Sequence, residues 1–265
     1  MLKEYKADQI RNVAIVGHGG TGKSTLFDAM LLAGGKIDKI GNPNQGTLTS
    51  DYDEDEKKKM MSIRSALGFV EHDGVKINFI DTPGTADFVG EARAAVQAAE
   101  TVILVVDSVD GVQIETEKAW RYLTENNIPR IIFVNKMDKE RASFDTVMEN
   151  LKTSLKANIA PLCIPSGEAD KLAGVIDLYQ MKLQTPKGGG KDVTIADVPA
   201  DAKAKAEAER NKLVEVAAEG DDALIEKFLE GEALTPDEIK KGLQAQLANA
   251  KLFPVVCGSS LSCVG

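Results

Sequence analysis

The sequence has few of the residues on which several classes of protein depend. Its 265 residues include two histidines and three cysteines, and 5% of them are aromatic. The cysteines, Cys163, Cys257 and Cys263, have no spacing typical of metal ligands. We therefore expect reduced thiols in a cytoplasmic protein rather than a disulfide framework or a cysteine-bound metal.

Long apolar segments and an excess of positive charge are also lacking. The longest strongly apolar run, residues 102–106, is far too short to span a membrane, and the polar segment MLKEYKADQIRN has no secretory apolar region. The net charge is −9. A free-standing nucleic-acid-binding domain usually carries a basic surface, so we do not expect binding to free DNA. The short apolar runs lead us to expect no membrane insertion either.

Apolar β-branched runs alternate with segments of helical spacing in the first part of the chain. Continuous runs of this kind are typical of strands buried on both faces of a mostly parallel sheet. The alternation predicts an α/β fold, with a doubly wound, mostly parallel sheet of six strands. A β-hairpin is expected where residues 66–71 and 75–80 flank His72-Asp73-Gly74. Residues 34–62, with the acidic run from Asp51 to Glu56, predict a long irregular and solvated loop.

The pattern changes after about residue 157. Residues 160–164 are strand-like, and residues 173–195 resemble a hairpin. Residues 200–218 are rich in alanine and charge and predict a helix, and a further helix is expected from Thr235. A last apolar strand, 252–257, returns to the core. We therefore predict a first domain of residues 1–157 plus 252–265, and an α+β subdomain, residues 158–251, inserted into it.

A phosphate-binding loop follows the first predicted strand. The segment GHGGTGKST fits the pattern GxxxxGK[ST] between a strand and a helix, where glycines let backbone N–H groups surround phosphate oxygens. Lys23 would contact the β- and γ-phosphates, and Ser24 would bind Mg²⁺. The nucleotide-binding residues predicted here are Gly17, His18, Gly19, Gly20, Thr21, Gly22, Lys23, Ser24 and Thr25.

Asp81-Thr82-Pro83-Gly84 ends the apolar strand 75–80. A carboxylate at this strand tip, Asp81, can hold Mg²⁺ through a water molecule, and the Gly84 N–H can approach the γ-phosphate. Taken alone, the motif is a common turn, and the phosphate-binding loop ahead of it favours the functional interpretation.

Two further loops predict selection of guanine. Asn135-Lys136-Met137-Asp138 follows the strand 131–134, and the Asp138 carboxylate can accept hydrogen bonds from guanine N1–H and the amino group, for which adenine has no matching pair. Lys136 can lie along the base plane, and Asn135 can connect this loop to the phosphate loop. After the last strand, a backbone N–H among Ser259, Ser260 and Leu261 could reach guanine O6.

The ordered set GHGGTGKST, DTPG, NKMD and GSSL resembles the G domain of elongation factor G, a translational GTPase. The resemblance covers nearly the whole chain: IPSGEADKLAGVIDL resembles the start of that factor's inserted subdomain, and DYDEDEKKKMMSIRSA resembles its first switch region. It implies that Ser62 is the switch hydroxyl that binds Mg²⁺ in the GTP state. Release factor 3 and ribosomal-protection proteins are the nearer relatives to exclude.

The sequence departs from the family pattern at three places. Gly20 replaces an aspartate of the phosphate loop, and Met60-Met61-Ser62 replaces a Gly-Ile-Thr segment of the first switch. Thr85 stands where the family has the histidine that positions the attacking water, and threonine has no base at neutral pH. These changes are similar to the second, paralogous type of elongation factor G.

The resemblance implies GTP or GDP with Mg²⁺ as ligands, Lys23 and Thr85 as catalytic residues, and Ser24, Ser62 and Asp81 as the metal site. It also implies the ribosome as partner of the full-length protein, of which this chain would be a monomeric fragment without the final helix of a G domain. One alternative is a guanine-nucleotide switch with little hydrolysis, because of Thr85. The other is an ATP-using protein, which the NKMD motif disfavours.

Overall fold

The computed structural model describes residues 3–265 of the chain, which contain eleven strands and eight α-helices. The strands are β1 (Ile10–Val16), β2 (Ala66–His72), β3 (Val75–Asp81), β4 (Thr101–Asp107), β5 (Arg130–Asn135), β6 (Ile159–Pro161), β7 (Cys163–Ser166), β8 (Gly174–Asp177), β9 (Lys182–Lys187), β10 (Asp192–Asp197) and β11 (Phe253–Cys257). The helices are α1 (Lys23–Ala33), α2 (Glu54–Lys59), α3 (Val89–Gln97), α4 (Ile114–Glu125), α5 (Phe144–Leu155), α6 (Ala200–Ala218), α7 (Asp222–Leu229) and α8 (Pro236–Ala248).

The main sheet has the order β2-β3-β1-β4-β5-β11-β6, and β2 alone runs antiparallel to its neighbour. The predicted α/β class and mostly parallel sheet are therefore confirmed. The predicted count of six strands is wrong, because Ile159–Pro161 pairs with β11 as a seventh. The sequence predicts a strand-like segment over 160–164, but it does not indicate that residues 159–161 join the main sheet, because a three-residue strand shows no periodic pattern. Its pairing depends on a partner more than 90 residues away.

The two faces of this sheet pack against different helices. Ile15 on β1 packs with Phe27 and Leu31 of α1, whereas its neighbours Ala14 and Val16 belong to the core beneath the helices of the opposite face. Trp120 of α4 lies in that second core, as expected, against Phe253 and the buried Arg130. Burying a side chain of this size contributes roughly 1.5–3 kcal/mol. The sheet is therefore a rigid support for the loops at its edge.

The expected hairpin of β2 and β3 is confirmed. The two strands pair antiparallel from Ala66 opposite Asp81 to His72 opposite Val75. Asp73 and Gly74 form the two-residue turn with φ values of 46° and 79°. Two consecutive positive φ angles match the twist of the strands, which is why Asp-Gly is favoured here.

A second sheet, with the antiparallel order β10-β9-β8-β7, begins directly after β6, and three helices follow it. The helix predicted over 200–218 is α6. The helix expected from Thr235 is α8, whose first turn has the predicted capping box between Thr235 and Glu238. The tip of the β9–β10 hairpin lies near Leu32 of α1, and Lys191 forms an ion pair of 3.0 Å with Asp38, which follows that helix. The boundary at residue 158 stays a prediction.

Residues 34–62 are more ordered than the irregular loop that their sequence predicts. The charged run forms α2, with Asp53 as its N-cap and Glu56 completing a capping box. Glu56 is 1% exposed, so the expectation of a solvated acidic run is wrong at this residue. The buried carboxylate is satisfied by backbone N–H groups, which no periodicity reveals.

No helix within residues 3–265 combines the length and the apolar character that crossing a membrane requires.

Candidate nucleotide-binding site

The predicted site residues lie together at one edge of the main sheet. This edge is formed by the carboxyl ends of β1, β3, β5 and β11. In open parallel sheets this edge is where ligands bind. Residues 17–22 join β1 to α1, and residues 23–25 form the first turn of that helix. Asp81 ends β3, Asn135 ends β5, and residues 258–261 follow β11. Because β1, β4, β5 and β11 are neighbours in the sheet, loops from distant parts of the sequence lie side by side.

The phosphate loop is held tightly between its strand and its helix. Gly22, the N-cap of α1, has φ 89°, and a Cβ at this position would collide with the Asn135 side-chain amide. Only glycine fits such a position without strain. The Lys23 Nζ donates to the carbonyl oxygens of Gly17 and His18 at 3.1 and 3.0 Å. The loop therefore closes around its own lysine.

Burial of the Lys23 side chain changes its pKa. The side chain is 6% exposed. Burial lowers the pKa of Lys23 to about 8, although the nearby charge of Asp81 opposes this shift. A buried ammonium with only carbonyl partners is stabilised by a neighbouring anion. Phosphate oxygens in this loop would supply that anion.

The predicted metal ligands are brought together. The hydroxyl oxygens of Ser24 and Ser62 lie 3.2 Å apart, although 38 residues separate them in the chain. Two adjacent ligands of an octahedral Mg²⁺, each about 2.1 Å from the ion, would be roughly 3.0 Å apart. Asp81 is 1% exposed and its Oδ1 atom has no hydrogen-bond partner among the described residues. This donor set fits Mg²⁺.

The pKa of the Asp81 carboxyl group is also shifted. Burial raises the pKa of Asp81 to about 6, and the hydroxyl of Ser24, the charge of Lys23 and the hydroxyl of Ser50 partly offset the effect. Ser50 itself is 4% exposed and its Oγ atom has no hydrogen-bond partner within residues 3–265. A buried carboxylate beside the hydroxyls of Ser24 and Ser50 is suited to a hydrated cation. Sequence reasoning did not find Ser50.

Two other carboxylates that the sequence did not reveal hold the first switch segment. Asp28, fully buried on α1, accepts hydrogen bonds from the backbone N–H groups of Gly41 and Thr49. Glu56 accepts from the N–H groups of Ile63 and Arg64 at 2.8 and 3.0 Å. These bonds fix the chain on both sides of Ser62. Their only sequence signal is acidic residues in an otherwise apolar helix and in a charged run.

Gly84 and Thr85 complete the phosphate side. A Cβ at Gly84 would collide with the Lys23 Nζ and approach the Gly19 N, so the backbone at this point must lack a side chain. The Thr85 Oγ1 atom is buried and has no partner among the residues that the structure describes. A cavity of about 350 Å³ lies beside it, lined by Gly17, Gly84, Thr85 and the facing sides of α3 and α4.

Asn135 connects three loops. Its side-chain Nδ2 donates to the Thr21 carbonyl at 2.8 Å, and its Oδ1 accepts from the backbone N–H groups of Lys136 and Ser260 and from the Ser260 hydroxyl. The residue is fully buried. The predicted contact between the guanine loop and the phosphate loop therefore exists, and it extends to the loop after β11.

The remaining guanine-loop residues are placed differently from one another. Lys136 has φ 64°, and its Nζ lies 2.7 Å from the Oδ2 atom of Asp107 at the end of β4. Ser259 pairs through its backbone with Val264. Asp138 is partly buried, and the Leu261 side chain is 57% exposed. Their contacts to guanine stay predictions.

The fold and the site together define a class. A mostly parallel sheet carries a lysine-closed phosphate loop, a buried aspartate beside paired serine hydroxyls, and a guanine-type loop that one asparagine joins to the phosphate loop. These features are those of a P-loop GTP-binding domain.

Comparison with known proteins agrees with this class. The sequence model of the family described as elongation factor Tu GTP binding domain matches residues 8–265. The chain belongs to this family of GTPase domains, which bind guanine nucleotides. The crystal structure of a protein from Thermus thermophilus is similar, with 33% sequence identity and a TM-score of 0.90 over 97% of this chain. The chain spans 38% of the length of that relative.

Proposed function

We propose that this chain is the GTP-binding domain of a translational GTPase of the elongation factor G type, which hydrolyses GTP with Mg²⁺ in a ribosome-linked cycle. The observation that carries the proposal is the Ser24–Ser62 pair at 3.2 Å. It joins the phosphate loop to a segment that resembles the first switch of that family. The second sheet and helices α6 to α8, placed between the guanine loop and β11, support the elongation factor G type.

The chain's own residues divide the work of phosphoryl transfer, which requires mostly positioning and charge stabilisation. Lys23 would exchange its two carbonyl partners for β- and γ-phosphate oxygens, and the Gly84 N–H would face the γ-phosphate. Ser24 and Ser62 would bind the metal directly, with Asp81 acting through water. Mg²⁺, when bound, supplies positive charge that neutralises the phosphate oxygens. Asp138 would accept from guanine, while Lys136 would cover its plane.

Thr85 determines how fast this site works. The residue lies where the resemblance places a histidine, and its buried hydroxyl has no partner within residues 3–265. A threonine hydroxyl can orient water but cannot take its proton at neutral pH. We therefore expect slow intrinsic turnover, with the attacking water held by Thr85 or by a backbone carbonyl. The second candidate, a switch with little hydrolysis, is favoured by the same residue.

The test is GTP turnover by the full-length protein with and without ribosomes, beside its Thr85→His variant. Strong stimulation of the natural protein by ribosomes is the expected result. No stimulation of the natural protein, combined with a large gain in the Thr85→His variant, would support the nucleotide switch instead. Absence of stimulation in both would overturn the ribosome-linked role. Competition of GDP and ADP for the site checks the guanine preference independently.

A further inference from the structure

The end of β4 contributes an ion pair to the guanine side of the site. Asp107 is 5% exposed, and its Oδ2 lies 2.7 Å from the Lys136 Nζ. Strand β4 lies next to β5, with Asp107 opposite Asn135, so the two side chains extend from neighbouring strand ends. Asp107 lies outside the four loop motifs GHGGTGKST, DTPG, NKMD and GSSL.

Asp107 is itself held in one orientation. Its Oδ1 atom accepts hydrogen bonds from the N–H groups of Val109 and Asp110 at 2.8 and 3.3 Å, which leaves Oδ2 for the lysine. Burial tends to raise the pKa of Asp107, but the Lys136 ammonium and these N–H groups outweigh it and hold the pKa below its ordinary value. The carboxylate is therefore charged at neutral pH.

The next residue fixes the lysine's backbone. Ser108 donates its hydroxyl to the Lys136 carbonyl at 2.8 Å, and its N–H to the Asn135 carbonyl at 2.9 Å. Lys136 has φ 64°, a left-handed conformation that is unusual for lysine and needs support from its surroundings. Asp107 and Ser108 together therefore hold Lys136 at the ammonium and at the backbone.

We propose that Asp107 is a positioning residue for guanine nucleotide binding, which holds the Lys136 side chain in the place where it covers the base. This inference rests on the proposed function of the loop, because it assigns to Lys136 contact with the base plane. A free lysine side chain has more freedom to lose than almost any other. Fixing it before the ligand arrives removes that entropy loss from binding.

The experiment is a double-mutant cycle on nucleotide affinity, with fluorescent GDP and a non-hydrolysable GTP analogue, each measured with Mg²⁺ and with EDTA. We expect Asp107→Ala to weaken both nucleotides about tenfold, with and without Mg²⁺. In a Lys136→Met background, the same substitution should weaken binding less than twofold. Coupling of this kind shows that two residues act through each other. Additive losses would overturn the proposal.

A second variant separates the ion pair from the turn. Asp107→Asn keeps an oxygen for the N–H groups of Val109 and Asp110 but loses the charge facing Lys136. It should lose affinity as Asp107→Ala does, whereas affinity close to that of the natural chain would mean that Asp107 acts only as a turn cap. Asp197→Ala is the matched control, because it removes an exposed ion pair of the same 2.7 Å length with Lys182.

The same measurements distinguish failure of the proposed function from failure of the role proposed for Asp107. If the natural chain did not prefer GDP to ADP, both the function and this inference would be overturned. If it preferred GDP but the cycle was additive, the inference alone would be wrong.

Discussion

Removing the Asn135 side chain should disconnect the guanine loop from the rest of the site. Asn135→Ala deletes four hydrogen bonds, to Thr21, Lys136 and twice to Ser260, in a fully buried position. If each hydrogen bond contributes a net free energy of about 1 kcal/mol, the substitution removes about 4 kcal/mol of stabilising free energy. A tenfold change in affinity corresponds to about 1.4 kcal/mol, so the whole loss is equivalent to nearly a thousandfold.

Not all of this loss appears in binding, because the free loops can relax toward water and the domain itself becomes less stable. We expect the GDP dissociation constant to rise at least about a hundredfold, which leaves roughly 1 kcal/mol for reduced stability. Fluorescent GDP titration measures the first quantity and urea unfolding of the nucleotide-free domain measures the second. Asn249→Ala, which removes one bond at an exposed helix end, is the control.

A folded Asn135→Ala variant that binds GDP within about threefold of the natural chain would contradict this prediction. In that case the three loops would hold their positions without the asparagine, and the connection would be a consequence of the fold rather than its cause.

Three further results are expected. Met60→Gly should raise the free energy of unfolding in urea by about 1 kcal/mol, and a lower value would contradict this prediction. Met60 is half exposed and has φ 52° at the end of α2, a conformation that glycine adopts without strain. Ser50→Ala should raise the Mg²⁺ concentration needed to retain GTP analogue about tenfold, whereas Ser65→Ala, whose buried hydroxyl is also unpartnered within residues 3–265, should not. Asp81 has a pKa of about 6 in the folded chain, above the value near 3.9 of an exposed aspartate. Its contribution to the free energy of unfolding is therefore complete below about pH 4 and is lost as the pH rises through about 6. Magnesium needs the charged form, so Mg²⁺-dependent retention of the analogue should weaken as the pH falls below about 6; a flat profile from pH 5 to 7.5 would contradict the assignment.

The parts of the fold that sequence reasoning found are those whose signal is local. The phosphate loop, the Asp-Gly hairpin turn and the capping box at Thr235 each depend on residues within about nine positions of one another. Backbone conformation and nearest-neighbour hydrogen bonds decide such features, so the residue types are sufficient to predict them.

The parts that it missed depend on partners far along the chain. Glu56 looks like one more charge in DEDEKKK, and only the folded loop shows that its carboxylate holds Ile63 and Arg64. Asp28 lies in the middle of α1 and satisfies Gly41 and Thr49. The strand-like sequence of residues 160–164 is recognisable, but the place of β6 in the main sheet depends on β11 beside it. In each case the stabilising contact is tertiary, and a single sequence contains no record of it.

These buried carboxylates also explain how a chain with a net charge of −9 can present a site for a polyanion. Asp28 and Glu56 direct their charge at backbone N–H groups, and Asp107 directs its charge at Lys136 and a turn. Such engaged carboxylates repel a phosphate less than free ones would, because their fields are directed into donors that face them. Lys23 then remains as a cation whose hydrogen bonds go only to carbonyl oxygens. Asp28, Glu56 and Asp107 therefore shape the loops of the site without occupying Lys23.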